Sequence, residues 1–223
     1  MKKIILIGTV IILGLASGCG DKTPSGPSSG SDAAYYPLSV GNQWVYDKAG
    51  TMSVSGIVTG TITGSEVTDI TDKVSHASGF DVFVQAVSVS DTLEMAGQIF
   101  ITDTTYTTYM NITDEGLHVY TNLTGTDSTS IVPFPLEVGL TWQFSEDPPM
   151  TGEILSLTET VNVPAGTFEN CLEMKLIWIE QGNTVETVTD FAPNVGKVKY
   201  VYTQSYSAEV ITITSVLMSY SVD

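Results

Sequence analysis

From Tyr35 onward the chain alternates apolar and polar residues with a period of two. Ile57 to Ile62 interleaves with Thr, and the same rhythm recurs in Asp81-Val82-Phe83-Val84, Leu117-His118-Val119-Tyr120 and Val210-Ile211-Thr212-Ile213. Successive side chains of a strand point to opposite faces, so this pattern predicts strands with one buried face. Abundant Thr, Val, Ile and Tyr suits a pleated, half-buried surface. Turn signals fall between the runs: Ser78-Gly79, Asp114-Glu115-Gly116, Thr124-Gly125, Pro164-Ala165-Gly166 and Gln181-Gly182-Asn183. Strands joined by short turns, without an amphipathic helix, predict an all-β antiparallel meander. A sandwich or an open or closed barrel would each hide its edges, and periodicity does not choose between them.

The meander carries an internal echo. Pro37-Leu38-Ser39-Val40-Gly41-Asn42-Gln43-Trp44-Val45-Tyr46 returns 98 residues later as Pro135-Leu136-Glu137-Val138-Gly139-Leu140-Thr141-Trp142-Gln143-Phe144. Pro and Gly shape a turn, and Trp and the aromatic two residues on share a strand face. Two such plugs predict one domain with pseudo-repeated halves. Two separate domains are the rival, but no linker divides the halves.

These copies combine with Val163-Pro164-Ala165-Gly166-Thr167-Phe168-Glu169-Asn170-Cys171 and Phe191-Ala192-Pro193-Asn194-Val195-Gly196-Lys197-Val198-Lys199. Together they resemble a family of uncharacterised bacterial envelope lipoproteins over about residues 35–205. The resemblance implies an all-β envelope domain and transfers no catalytic residue. Asp190-Phe191 stands where related sequences often have Trp-Tyr before Ala-Pro.

Ahead of the meander, Lys2 and Lys3 precede an apolar run, Ile4 to Leu15, that is followed by Ala16-Ser17-Gly18-Cys19. The run is shorter than the ~18–20 residues that span a bilayer. It has the layout of a signal peptide. A cysteine directly after the small residues resembles the lipobox of bacterial lipoproteins, with Ala16 where that motif usually has Leu. By that resemblance residues 1–18 are removed, Cys19 is the lipid attachment site, and several acyl chains anchor the protein to a membrane. Gly20 in place of Asp favours the outer membrane if the host has two. Residues 19–34 then form a lipidated cysteine and Gly/Ser/Pro-rich tether with a reach of ~20–25 Å, and residues 35–223 form the single domain.

Charge narrows the partners. The 223 residues hold 8 Lys+Arg, all of them lysine, and 25 Asp+Glu. Losing Lys2 and Lys3 leaves 6 against 25, a net charge of about −19. That repels nucleic acid and anionic lipid surfaces. Without arginine the usual bidentate reader of phosphate or carboxylate is missing. With Cys19 lipidated, Cys171 has no partner for a disulfide and reads as a small buried hydrophobe.

Candidate chemistry is sparse. His76 and His118 lie in no ligand-spaced cluster, so no metal site is expected. Asp114-Glu115, Glu146-Asp147 and Asp69-Ile70-Thr71-Asp72 lack the calcium-loop pattern and read as acidic turns. Gly26-Pro27-Ser28-Ser29-Gly30 matches G-x-S-x-G, but it sits in linker without the flanking strand and helix a nucleophile elbow needs. Gly56, Gly60 and Gly64 read as bulges or close approaches rather than a membrane dimer motif. Tyr106 and Tyr109 would point to opposite faces of one strand. No cofactor is implied. The sequence therefore predicts a non-enzymatic envelope module, binding or structural, whose partner is a protein, a glycan or the cell wall; the alternatives are a carrier of a lipid or other apolar ligand in a β-enclosed cavity and, third, a hydrolase.

Overall fold

The structure is a computed structural model that describes residues 32–124, 129–146, 149–180 and 182–223. Cys19, the signal segment, the Gly26–Gly30 stretch and Asp147 lie outside the described residues. The described chain opens in a short 3-10 helix, Asp32–Tyr35. Twelve strands follow: β1 (Gln43–Val54), β2 (Ile57–Ser75), β3 (Asp81–Met95), β4 (Gln98–Thr113), β5 (Gly116–Tyr120) and β6 (Thr129–Pro133), then β7 (Thr141–Glu146), β8 (Pro149–Val163), β9 (Gly166–Glu180), β10 (Asn183–Ala192), β11 (Gly196–Tyr206) and β12 (Glu209–Ser221).

All twelve belong to one antiparallel sheet, ordered β6-β5-β4-β3-β2-β1-β12-β11-β10-β9-β8-β7, which curls into a nearly closed barrel. Apart from β6 and β7, strands adjacent in sequence pair with each other, and the two halves of the chain meet where β1 pairs β12. That ladder is long, from Gln43 opposite Ser221 to Val54 opposite Glu209. Its counterpart, between short β6 and short β7, has no ladder among the described residues. The barrel is therefore sealed along one seam and open along the other.

The sequence echo is reproduced in the backbone. Gly41 N–H donates to Ile70 O at 2.8 Å and Ile70 N–H to Asn42 O at 2.9 Å. In the second half Gly139 N–H donates to Ile154 O at 2.8 Å and Ile154 N–H to Leu140 O at 2.9 Å. Both glycines hold a positive φ, +102° and +84°, which explains why the turn before each Trp needs one.

An antiparallel meander sends alternate turns to opposite ends. The lower end collects residues 36–42 and 134–140 and the β2–β3, β4–β5, β8–β9 and β10–β11 turns. It is filled by an apolar cluster that includes Tyr36, Leu38, Trp44, Phe83, Leu136 and Phe191. The upper end carries the tips of the β1–β2, β3–β4, β9–β10 and β11–β12 hairpins.

Asp32 to Ala34, read from sequence as the end of the tether, are docked on this base. Asp32 Oδ2 accepts Leu136 N–H at 3.0 Å, Ala34 O accepts Asn194 N–H at 2.6 Å, and Ala34 is buried. A single residue such as Ala34 has no periodicity to betray its burial.

Candidate functional site: a polar band inside the barrel

Above the apolar base the inward positions change chemistry. On β1 they run Trp44, Tyr46, Lys48; on β2 they run Glu66, Thr68, Ile70, all buried. Lys48 lies opposite Gly64, and Gly64 lies opposite Asp91 on β3, so three strands share one row. Gly64 has no side chain to fill the row, and Lys48 Nζ reaches Asp91 Oδ2 at 2.7 Å.

The next row down brings a second pair. Glu66 Oε1 meets Lys197 Nζ at 2.7 Å, with side chains only 1% and 4% exposed. Lys197 enters beside an irregularity in the β10–β11 register at Asp190/Phe191, the kind of bulge that re-aims a side chain. Its ammonium lies 4.3 Å from the centre of the Tyr46 ring and 5.6 Å from that of Tyr200, as cation–π contacts require. Tyr46 Oη donates to Lys197 O at 3.0 Å, and Thr68 Oγ1 donates to Glu66 Oε1 at 3.4 Å.

Burial pushes the Glu66 carboxyl up, but the Lys197 ammonium, its hydrogen bond and the Lys48 charge together hold it below the usual carboxylate value. Burial first, and then the Glu66 charge, drive the Tyr46 and Tyr200 hydroxyls well above theirs, so both stay protonated. Two lysines thus face two carboxylates inside the barrel. Each charge is spent on its neighbour, and the cluster ties β1, β2 and β3 to β11 across the sealed seam. Its chemistry is that of ion pairs whose charges are mutually compensated.

Above the band, Val185, Tyr200 and Tyr202 form a second apolar cluster with the partly buried Trp178, Ile211 and Ile213 against them. This wall lies toward the upper mouth.

A third constellation sits on β8 to β11. Asp190 lies opposite Glu173 on one side and opposite Lys199 on the other, with Lys199 Nζ 3.4 Å from Asp190 Oδ2. Burial raises the Asp190 carboxyl, Lys199 partly offsets this, and Glu159 adds to the rise. Glu173 is raised by burial and by the charges of Asp190 and Glu159. Buried Cys171, close to the same carboxylates, is pushed up to about 11, mainly by burial. Such a thiol is a packed hydrophobe, as the sequence suggested.

Among the described residues the remaining sequence candidates are not brought together. His76 is buried, stacks on Phe80 with ring centres 4.7 Å apart and meets the tilted Tyr120 ring at 4.9 Å. His118 Nε2 lies 3.1 Å from Thr113 Oγ1, and burial lowers its pKa despite Glu115. Asp69 accepts from Gln43 Nε2 at 2.7 Å, and Asp72 Oδ1 accepts from Lys73 N–H at 2.7 Å. Asp114 and Glu115 form the β4–β5 turn, and Glu146 ends β7. Among the described residues no group of three or more His, Cys, Asp or Glu is placed to hold a metal ion. Tyr106 and Tyr109 alternate along β4, opposite Val87 and Val84.

The glycines divide in role. Gly56 takes the β1–β2 turn, Gly60 lies beside a bulge near Met52/Ser53, and Gly64 makes the close approach. Sequence reasoning missed the interior charges, although Lys48 follows Trp44 and Tyr46 at a spacing of two, on the face that had to be inside.

The architecture is thus that of a small up-and-down β-barrel with a filled base. No family model and no curated relative matches the chain. Three solved structures are similar to it. A β-barrel-like protein of Brucella abortus from the domain of unknown function DUF1849 covers 84% of this chain and 99% of its own at 10% identity, with a TM-score of 0.44. A candidate exported protein of Bacteroides fragilis, described as having a YmcC-like fold, covers 83% and 97% at 17% identity, with a TM-score of 0.43. A candidate lipoprotein of Parabacteroides distasonis covers 84% and 98% at 16% identity, with a TM-score of 0.33.

Proposed function

We propose that the chain is an envelope lipoprotein, anchored through Cys19, whose barrel is a non-enzymatic binding scaffold that recognises a partner on its outer surface or loops. The observation that carries this reading is the state of the interior. The lower half is packed by Trp44 and its neighbours, and the ionisable groups above it, Glu66 with Lys197 and Lys48 with Asp91, engage one another. An acid, base or nucleophile at work must be available to a substrate. A rigid sheet with surface turns suits recognition. The lipobox resemblance supports the anchor, and Asp32, docked at the lower end, sets the tether's exit there.

A second reading, a carrier of an apolar ligand, draws on the wall formed by Trp178, Tyr202 and Ile213 at the upper mouth. Apolar lining with a few polar groups is the usual make-up of a ligand pocket. Native mass spectrometry of the full-length protein extracted in mild detergent separates the two. The scaffold reading expects only the covalent acyl mass; a stoichiometric apolar ligand that survives detergent exchange overturns it in favour of the carrier. Anchoring is tested by palmitate labelling, which Cys19→Ser should abolish along with membrane retention.

A further inference from the structure

β4 is paired with β3 from Gln98 to Met110 but with β5 only along Tyr109–Thr113. On that second side Ile99, Ile101, Asp103, Thr105 and Thr107 have no strand partner among the described residues. The turn between β3 and β4 is Ala96-Gly97, both at positive φ (52° and 73°), with Met95 opposite Gln98. In a two-residue turn of this kind the flanking pair is hydrogen-bonded, so the even-numbered residues of β4 bond β3 and the odd-numbered ones face away. The same parity governs β5, whose pairing begins with Thr113 opposite Gly116 across the Asp114-Glu115 turn. Among the described residues the N–H and C=O groups of Ile99, Ile101, Asp103, Thr105 and Thr107 therefore form an open edge. Natural edges are blunted with lysine, proline or bulges. This one has none of them, and Ile99 and Ile101 are 66% and 69% exposed.

A second feature adjoins it. On the outer face, Ser65, Val67, Ser88, Ser90, Asp103 and Thr105 line a shallow groove of about 210 Å³. The outward positions of β1 to β4 carry Asp47, Asp69, Glu94 and Asp103, while Lys48 points inward and Lys73 is held near Asp81 at 3.7 Å. The edge is thus bordered by negative charge, on a chain of net charge −17.

We infer that the β4 edge accepts an extended, lysine-bearing segment of another protein as an added strand. This deepens the scaffold reading, on which it rests, by naming the surface and the chemistry of its partner. Main-chain hydrogen bonds to the odd-numbered residues supply affinity, and alternate side chains supply specificity. A β-branched side chain packs on Ile99 and Ile101, and a lysine placed over the groove meets Asp103. A second copy of this chain fits less well, because antiparallel self-pairing centred on this edge sets Asp103 against Asp103 between two strongly acidic molecules.

The test uses the full-length protein in detergent and a fluorescent nine-residue threonine-based peptide with valine at positions 4 and 6 and lysine at positions 2 and 8, so that all four share one strand face in either direction of pairing, followed by anisotropy. Binding that weakens with salt is expected. Thr105→Pro, which removes an outward N–H without touching the β3 ladder, should reduce affinity by at least about tenfold. A peptide N-methylated at alternate residues, or one with glutamate for lysine, should not bind. Equal binding of the N-methylated peptide, or no binding of the parent peptide at millimolar concentration, overturns the proposal whether or not Thr105→Pro folds. A dimer of the chain alone that Thr105→Pro dissolves overturns it in favour of a second copy. Anchoring at Cys19 and the mass of the extracted protein are read separately, so failure here leaves those results standing.

Discussion

Lys48 and Asp91 lie two strands apart in one inward row, and their 2.7 Å ion pair passes over Gly64, which occupies the row between them. A methyl group at Gly64 would collide with Asp91 Oδ1 and the carbonyl oxygen of Ser90. Gly64→Ala is therefore expected to displace the pair and overpack the row. Overpacking costs ~1–3 kcal/mol, and Asp91 is exposed enough for water to soften the loss of its partner, so a total of about 2–3 kcal/mol is expected. Urea unfolding reads it, and a change within about 0.5 kcal/mol would show that the row has room to spare.

Glu66 and Lys197 are the deeper pair, and breaking it from one side leaves a buried charge alone. Glu66→Gln or Lys197→Met should each cost about 3–5 kcal/mol, while Glu66→Leu with Lys197→Met should recover most of that loss. The pH dependence follows from the Glu66 carboxyl, whose folded pKa lies below its ordinary value. Its stabilisation is complete above the unfolded carboxylate pKa of about 4.3 and is lost as pH falls through the lower folded value. Acid titration of unfolding stability should show this loss in the wild type and not in the double variant.

Much of the architecture was legible because burial on one strand face writes a period of two. The runs around Val82, Leu117 and Ile211 are strands, and the turns at Gly79, Gly116, Gly166 and Gly182 are turns. Closure was not legible, since Gln43 and Ser221 are neighbours only across the whole length of the chain. Nor were the Ser55-Gly56, Ala96-Gly97 and Ser207-Ala208 turns, where Ser and Ala adopt positive φ that their side chains disfavour. The polar band escaped for a related reason. A lysine such as Lys48 in an inward register looks like a break in the pattern until its partner, 43 residues away in sequence, is placed beside it.

Asp190 supplies the opposite sign of pH dependence. Burial raises its carboxyl, and Glu173 across the strand is raised as well. A carboxyl with a raised folded pKa binds protons more tightly in the fold, so its contribution grows as pH falls from the folded value toward the unfolded one near 4. Asp190→Asn is expected to leave stability at neutral pH unchanged or higher and to bring the Glu173 titration down, as carboxyl chemical shifts would report. Lys199→Met should destabilise at neutral pH, with much of that loss recovered on mild acidification. A Glu173 titration that ignores Asp190→Asn would separate the two carboxylates.

Cys171 offers a kinetic check on the same region. With its thiol pushed up to about 11 and buried, almost none is thiolate at pH 8. Folded protein should react with an aromatic disulfide reagent only as fast as it unfolds, and the rate should rise to that of an ordinary thiol in urea. Rapid reaction in the folded state would mean that the β8–β9 hairpin opens locally.

The two tryptophans of the sequence echo make the sharpest comparison, because matching motifs sit in unequal surroundings. Trp44 is buried on the sealed side of the barrel, and its Nε1 donates to Val195 O at 2.6 Å. Trp142 lies beside the open seam, only partly buried, with its ring flat against Gly152 and its Nε1 without a partner among the described residues. Trp44→Ala should cost about 3–5 kcal/mol, as deletion of a large core ring does. Trp142→Ala removes less buried area and no hydrogen bond, so a loss of about 1–2 kcal/mol is expected. Gly152→Ala, whose methyl would collide with the Trp142 ring, should be as harmful as losing that ring. Equal losses at Trp44 and Trp142 would mean that β6 and β7 close in solution as β12 and β1 do.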